Sequence, residues 1–277
     1  MTPIRVMSFN IFSPGELEEG DELPPEELHN GWEDRADLNV RTILRYEPDL
    51  IGFQEMNQEK LATYRERLVG YDCISAEGDE YPPDIAWRGE RLALVESGQF
   101  WLSSTPDERS ADWDVPYPLQ VQWVRLREAE SSAELLHLNT QYEDGPWGER
   151  SRLESSKLMV TRVTEMQQDG ASGILTGDFN CNPWFPAYNT FIEAGFTDSY
   201  RAAGNGDSAT SSTFHGLRGD KYFALEYGIS VFWRVDWVLT RDGNQRLRTL
   251  SSTIVRDAEP PTYPSDHYPV VAEFLLD

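Results

Sequence analysis

Residues 174–183 combine a short apolar run with an abrupt polar end. The run that begins at Ile174 is typical of a buried strand, and the Asn-Pro pair near its end is typical of a turn. Because side chains alternate along a strand, Asp178 and Asn180 are expected on one side of the chain, where a core strand leaves the core. A carboxylate and an amide held there suit the binding of a water molecule and a phosphoryl oxygen. An ordinary Asx turn accounts for the same two residues, so the rest of the chain has to decide.

The chain has 277 residues, and its composition reveals no internal boundary. No repeat and no linker rich in Pro, Gly or Ser divides it, which predicts a single domain over residues 1–277. Its apolar content of 39% is enough for a core. Since no apolar run approaches about 18 residues, we expect no membrane span. The first residues lack the apolar region of a signal peptide, so we expect a cytoplasmic location unless a leader has been removed.

The formal net charge of −24 makes the chain strongly acidic. Such a field repels polyanions, which argues against broad nonspecific binding of nucleic acid, and it attracts divalent cations. Cys73 and Cys181 are too few for a disulfide framework or a zinc cluster, so both are expected to be free thiols. The sequence does not indicate an oligomeric state.

Hydrophobic periodicity predicts many short strands and few helices. Besides the run at 174, the predicted strands span residues 3–9, 49–55, 71–75, 84–88, 92–102, 121–126, 135–142, 231–240, 247–255 and 270–275. The predicted helices span residues 32–46, 58–69, 147–167 and 187–194. Strands 84–88 and 92–102 are predicted to pair through Gly89-Glu90, and strands 121–126 and 135–142 to form a hairpin. This pattern favours mixed sheets packed face to face with helices outside, in the α/β (α+β) class.

Polar residues stand at the ends of several predicted strands. They are Asn10, Glu55, Asp178, Asn180, Asp236, Asp266 and His267. Carboxylates, amides and one histidine at the strand edges of one domain suggest a single converging site. Oxygen ligands favour a hard cation such as Mg²⁺ or Mn²⁺ over zinc, and a divalent cation beside a histidine–carboxylate pair fits phosphoester hydrolysis.

Five short motifs resemble the endonuclease/exonuclease/phosphatase (DNase-I-like) family in their order along the chain. They are Ser8-Phe9-Asn10, Ile51-Gly52-Phe53-Gln54-Glu55, Gly177-Asp178-Phe179-Asn180, Arg234-Val235-Asp236-Trp237 and Ser265-Asp266-His267. The stretches 101–106 and 213–216 are similar to a bacterial subgroup of unassigned hydrolases within that family. The resemblance covers essentially the whole chain. It implies a four-layer sandwich of two mixed β-sheets packed face to face with helices outside, and a site at one end of the sheets.

The resemblance also implies a metal site. By likeness, Glu55 binds Mg²⁺, with Mn²⁺ as the alternative cation, and Asn10 and Asp266 lie close to the ion as further candidate ligands. Asp178 positions or deprotonates the attacking water.

The same likeness implies the other catalytic roles. Asn180 holds a phosphate oxygen. His267 contacts the phosphate, and Asp236 orients its imidazole and favours its protonated form. The cation and protonated His267 would neutralise the charge that builds up on the phosphoryl oxygens.

Two positions depart from the family pattern. Gln141 stands where many members have a second catalytic histidine, and an amide can hydrogen bond to a phosphate but carries neither a proton nor a charge. Leu119 and Gln120 stand near the place where the bacterial subgroup tends to have an arginine. Both departures remove positive charge from the predicted site, so either the substrate differs or the activity is reduced.

Three functions are compatible with the sequence. The first is a metal-dependent phosphomonoesterase or phosphodiesterase that acts on a small or lipid-linked phosphate. The second is a nuclease, which the acidic composition disfavours. The third is a weakened family member that binds a phosphorylated ligand or a partner protein, and Gln141 motivates it. Substrate specificity is expected in the loops 13–30, 76–84, 105–118 and 203–230, because loops vary most within a fold.

Overall fold

The computed structural model describes residues 3–14, 30–77, 81–145, 147–208, 210–221 and 233–277. Most of the suspected specificity loop 13–30 lies outside these ranges, as do residues 78–80 and residues 209 and 222–230 of two further suspected loops. Residues 231 and 232, where the strand 231–240 is predicted to begin, lie outside them as well.

The described residues form twelve strands and five α-helices. The strands are β1 (Ile4–Asn10), β2 (Leu50–Gln54), β3 (Tyr71–Ile74), β4 (Ile85–Arg88), β5 (Leu92–Trp101), β6 (Gln120–Glu128), β7 (Glu134–Gln141), β8 (Ser172–Asp178), β9 (Thr197–Asp198), β10 (Asp236–Arg241), β11 (Leu247–Ile254) and β12 (Val270–Leu276). The helices are α1 (Trp32–Tyr46), α2 (Gln58–Arg67), α3 (Glu149–Met166), α4 (Pro186–Glu193) and α5 (Ser199–Ala202). None of these helices is long and apolar enough to cross a membrane.

The strands form two six-stranded mixed sheets, in the orders β11-β12-β1-β2-β4-β3 and β5-β6-β7-β8-β10-β9. Each sheet has one parallel pair, β1 with β2 and β7 with β8, among antiparallel pairs. One apolar cluster fills the space between the sheets. A second cluster joins α1 and α2 to the first sheet, and a third joins α3 and α4 to the second sheet. This four-layer arrangement confirms the predicted fold class.

Side-chain alternation decides which residues face the space between the two sheets, here called the interlayer face. In β1, Ile4 and Val6 pack between the sheets, whereas Met7 and Phe9 pack against the helices. With a period of two, Asn10 therefore falls on the interlayer face at the end of β1. The same alternation places Asp178 of β8, four residues after Ile174, on the interlayer face. Asn10 and Asp178 therefore face each other at the ends of β1 and β8.

Two details of the predicted strands are wrong. Strands β4 and β5 do not pair with each other, because β4 pairs with β2 and β3 in one sheet and β5 pairs with β6 in the other. The Gly89-Glu90 turn thus connects the two sheets. In addition, β10 begins at Asp236, since the main chain just before it bonds to loops: the Arg234 N–H donates to Asn182 Oδ1, and the Trp233 carbonyl accepts from the Thr213 N–H.

Candidate active site

The polar strand ends meet at one edge of the sandwich, around a cavity of about 430 Å³. Six of the eight predicted site residues line this cavity: Glu55, Gln141, Asp178, Asn180, Asp266 and His267. The other two, Asn10 and Asp236, lie behind the lining and hydrogen bond to residues in it. The structure therefore brings all eight predicted residues together.

His267 and Asp236 form a buried pair. His267 Nδ1 lies 2.9 Å from Asp236 Oδ2, and both side chains are almost wholly enclosed. Burial alone would lower the pKa of His267, but the carboxylates of Asp236, Asp266 and Asp178 outweigh it and raise that pKa well above the usual value. The surrounding carboxylates therefore favour the protonated imidazole. Its Nε2 points toward the cavity side, 3.8 Å from Asp178 Oδ2.

Asp178 is held on all sides at the end of β8. It lies directly opposite Asp236 in the antiparallel pair of β8 and β10. Its Oδ1 accepts the Asn180 N–H at 3.0 Å, and its Oδ2 accepts from Asn10 Nδ2 at 3.0 Å. Burial raises the pKa of Asp178, and the positive charge of His267 opposes that rise only in part. These contacts fix the Asp178 carboxyl at the cavity, facing His267 Nε2.

Asn180 reaches the same cavity through a turn. Strand β8 ends at Asp178, and Asn180 has a left-handed backbone with φ of 48°. Asparagine tolerates this conformation better than most residues. Its Nδ2 donates to the Tyr142 carbonyl at 2.9 Å, which fixes the amide at the cavity wall. The prediction that Asp178 and Asn180 share one side holds, although a turn and not a continued strand brings this about.

The carboxylate of Glu55 accepts three hydrogen bonds. Its Oε1 accepts from Asn10 Nδ2 at 2.8 Å and from Gln141 Nε2 at 2.9 Å, and its Oε2 accepts the Ser13 N–H at 2.6 Å. Glu55 itself has a left-handed backbone with φ of 60° directly after β2, an uncommon conformation for glutamate. Gln141 thus contacts a carboxylate, whereas the sequence suggests a contact with phosphate.

Asp266 completes a group of hard oxygen donors with Glu55. Burial raises the pKa of Asp266, and the charge of Glu55 raises it further, while His267 acts in the opposite direction. Both carboxylates line one cavity, and a divalent cation between them would offset the charge of Glu55 that acts on Asp266. The donor chemistry of this pair therefore suits Mg²⁺ or Mn²⁺.

A second group of possible ligands lies deeper. The ligand atoms of Asp178, Asp236 and His267 all lie within 4.8 Å of one another, and the three residues are buried. A cation bound there would have to displace the bond between His267 Nδ1 and Asp236 Oδ2 and would sit beside an imidazole that is already positively charged. We therefore favour Glu55 and Asp266 as the place for a hard cation.

Several residues around the site were not singled out from the sequence. Ser13 and Asp144 line the cavity, and the buried Lys60 lies behind Glu55. The sequence could have indicated Lys60, because it lies one helical turn before Tyr64 on α2. The two residues share the buried face of that helix, where a lysine is unusual. Ser13 and Asp144 carry no such signal, since both belong to irregular segments.

Known proteins with related sequences or folds include phosphatases and nucleases. A solved structure of an endonuclease/exonuclease/phosphatase family protein from Bacteroides thetaiotaomicron has a TM-score of 0.83 at 25% identity and covers 100% of this chain and 96% of that one. The solved structure of a mannosyl-6-phosphatase of the same species has a TM-score of 0.83 at 24% identity and covers 98% of this chain and 99% of that one. A probable RNA exonuclease, NGL3 of Saccharomyces cerevisiae, is 22% identical over 198 residues, which is 67% of this chain and only 39% of the yeast protein.

The family profile agrees with these likenesses. It matches residues 7–267, from the middle of β1 to the histidine of the buried pair. The match includes every residue of the site described above. The chain belongs to the Endonuclease/Exonuclease/phosphatase family.

Proposed function

We propose that this protein is a metal-dependent phosphoester hydrolase in which water attacks phosphorus. Members of the family are phosphoester hydrolases that depend on a divalent metal ion. The observation that carries the proposal is the arrangement around one cavity: the buried His267–Asp236 pair faces Asp178, and the carboxylates of Glu55 and Asp266 line the same cavity. An acid, a base and a hard-cation site within one cavity are what this reaction needs.

The proposed metal ligands are Glu55 and Asp266, and Mg²⁺ is the proposed ion, with Mn²⁺ as a substitute. When bound, the cation would act as a Lewis acid on the phosphate. Asn10 stands beside these ligands. Its Nδ2 donates to both Glu55 and Asp178, and its Oδ1 accepts the Phe12 N–H at 3.0 Å, so it orients one carboxylate relative to the other.

The remaining steps are assigned to side chains at the cavity. Asp178, which Asn10 Nδ2 and the Asn180 N–H hold at the cavity, accepts a proton from the attacking water. His267 donates its Nε2–H to a phosphoryl oxygen, and Asp236 keeps the imidazole protonated and oriented. Asn180 holds another phosphate oxygen from the rim.

A small phosphorylated molecule or a lipid head group is the proposed substrate class. The cavity lining includes the apolar side chains of Phe12, Phe214, Trp233 and Val235, which suits a ring or an apolar group next to the phosphate. The acidic Asp144 also lines the cavity and disfavours further phosphates. The likeness to a mannosyl-6-phosphatase supports this class, whereas the likeness to a yeast RNA exonuclease keeps a nuclease as the second candidate.

The first test is hydrolysis of p-nitrophenyl phosphate and bis-p-nitrophenyl phosphate with Mg²⁺, with Mn²⁺ and with EDTA. We expect turnover that requires the cation, and a loss of about 100-fold or more in Glu55→Gln, because a catalytic cation contributes several kcal/mol. Glu193→Gln, at an exposed glutamate on α4, is the matched control and should retain activity.

The outcomes separate the alternatives. Turnover that survives EDTA and Glu55→Gln would refute the metal-dependent mechanism. A folded wild type that hydrolyses neither ester with either cation would favour a selective enzyme or a weakened family member that only binds phosphorylated ligands. The ratio of diester to monoester turnover would direct the search for the natural substrate.

A further inference from the structure

Two buried cations lie directly behind the proposed metal ligands. Arg35 on α1 and Lys60 on α2 are 0% and 1% exposed. Each lies near the ring of Trp32, with the Arg35 guanidinium carbon at 5.0 Å and Lys60 Nζ at 5.9 Å from the ring centroid. Burying a positive charge is costly unless hydrogen bonds and nearby negative charge compensate it. The contacts of these two residues show what compensates them.

Lys60 Nζ contacts the loops that carry the site, although burial lowers the pKa of this amine to about 7. Its Nζ donates to the Phe12 carbonyl at 2.5 Å, to the Glu55 carbonyl at 3.0 Å and to Ser13 Oγ. Ser13 in turn donates its Oγ–H to the Glu55 carbonyl at 3.0 Å and its N–H to Glu55 Oε2 at 2.6 Å. Lys60 is therefore linked both to the main chain of Glu55 and, through Ser13, to its carboxylate.

Arg35 connects the same region to the loop before Asp266. Its Nη1 donates to the Ile11 carbonyl at 2.6 Å and to the Pro264 carbonyl at 3.1 Å, and its Nη2 donates to the Phe12 carbonyl. Pro264 precedes Ser265 and Asp266 in the chain. The two cations thus share the Phe12 carbonyl and connect the ends of β1 and β2 with the segment that carries the second proposed ligand.

We propose that Lys60, together with Arg35, is a positioning residue that fixes the carboxylates of Glu55 and Asp266 for a divalent cation. This inference rests on the proposed metal role of Glu55. The left-handed backbone at Glu55 is unfavourable for a glutamate, and the contact between Lys60 Nζ and the Glu55 carbonyl offsets that cost. Neither Lys60 nor Arg35 lines the cavity, so their hydrogen bonds hold the segments that carry the ligands without occupying the cation site. Residues that orient metal ligands in this way commonly change metal affinity about 10- to 100-fold when they are replaced.

The test is the affinity for Mn²⁺ alone, measured by titration calorimetry on wild type, Lys60→Met and Lys157→Met. Methionine keeps most of the side-chain volume and removes the charge and the donors. We expect Lys60→Met to weaken Mn²⁺ binding about 10-fold. Lys157→Met removes an exposed lysine of α3 that pairs with Glu154, and it should bind Mn²⁺ as wild type does.

A purely structural role for Lys60 would lower the melting temperature and leave the Mn²⁺ affinity of the folded protein unchanged. That result, with wild type binding Mn²⁺, would overturn the inference and leave the proposed function intact. If wild type itself fails to bind Mn²⁺, both the proposed metal site and this inference are wrong. If Lys60→Met does not fold, Lys60→Gln carries the test, because it shortens the side chain that reaches the Glu55 carbonyl and replaces the amine with an uncharged amide. Unchanged Mn²⁺ affinity in Lys60→Gln would then overturn the inference.

Discussion

Gln141 is a neutral residue at a position where a histidine would add positive charge to the cavity. Its Nε2 donates to Glu55 Oε1 at 2.9 Å, so the amide supports the proposed metal ligand and adds no positive charge to the cavity. Among the described residues that line the cavity, His267 is the one that becomes cationic. Within the described lining, the positive charge that faces a bound phosphate therefore has to come from His267 and from a bound cation.

Gln141→His should introduce a titrating group that wild type lacks at this position. An imidazole has a pKa of about 6.5, and protonation gives it a charge that favours phosphate binding. We expect kcat/KM of the variant relative to wild type to rise as the pH falls from about 8 to about 6. Gln141→Leu, which removes the amide without adding a titrating group, is the control. A relative rate that does not vary with pH in Gln141→His would contradict the prediction.

Asp236→Asn should lower the pKa of His267, because it removes the carboxylate bonded to Nδ1. NMR titration of the imidazole nitrogens measures this directly, and the alkaline limb of activity should move to lower pH. A raised histidine pKa stabilises the fold fully below the unfolded pKa of about 6.5, and that stabilisation is lost as the pH rises through the folded pKa. The variant should therefore lose about 1.5–3 kcal/mol near pH 6 and less at alkaline pH. An unchanged His267 titration would refute the assigned pairing.

At the scale of the elements, a polar contact between β2 and β7 sets the spacing of the sheets below the site. Gln54 Nε2 donates to Asn139 Oδ1 at 2.6 Å, and Thr176 Oγ1 of β8 donates to the same oxygen at 2.9 Å. Gly52 lies against this contact. A Cβ at Gly52 would lie 2.0 Å from Thr176 Oγ1 and 2.5 Å from Asn139 Oδ1. The absence of a side chain there allows the two sheets to approach.

Gly52→Ala should therefore destabilise the protein. The added methyl group forces the sheets apart or displaces the Asn139 amide, and overpacking of this kind costs about 1–3 kcal/mol. Denaturant unfolding measures the loss. Gly206→Ala is the control, since a Cβ at Gly206 meets no atom within 4 Å. Equal unfolding midpoints for the two variants would show that the sheets accommodate the methyl group.

The sequence predicts local features of the fold well, because alternation is a local signal. It locates β1 and its polar end Asn10, since Ile4 and Val6 alternate with residues that face the helices. It fails on the pairing of β4 with β5, because partner choice depends on which sheet buries each strand. The polar site residues could be named because each stands at a strand end, although their catalytic and metal-binding roles stay predictions.

Contacts across long sequence distances were beyond the sequence. Arg35 bonds to the Pro264 carbonyl, 229 residues away, and no periodic pattern indicates such a partner. The contact of Gln141 with Glu55 spans 86 residues and was equally unforeseen. The first depends on how α1 packs against the first sheet and the second on how the two sheets are stacked, and the sequence of either partner encodes neither.

At the scale of the whole molecule, the net charge of −24 dominates the field around the cavity. Positive side chains at the surface are largely compensated where they cluster. Near α1, Arg41 pairs with Glu259 and Arg45 pairs with Asp257. A phosphate backbone that approaches the described surface therefore meets paired arginines beside α1 and an excess of carboxylates overall.

This field predicts how salt affects different substrates. Repulsion between the protein and a polyanion is screened as ionic strength rises from about 10 mM to about 150 mM, because the Debye length falls from about 30 Å to about 8 Å. We expect kcat/KM on a short single-stranded oligonucleotide to start low and to rise up to about 10-fold over this range. Turnover of p-nitrophenyl phosphate, which carries far less charge, should change much less and serves as the control in the same buffers. For a nuclease that holds its substrate through basic side chains, kcat/KM falls as salt rises, since salt weakens its phosphate contacts. A rate on the oligonucleotide that falls with salt would therefore favour the nuclease over the small-phosphate hydrolase.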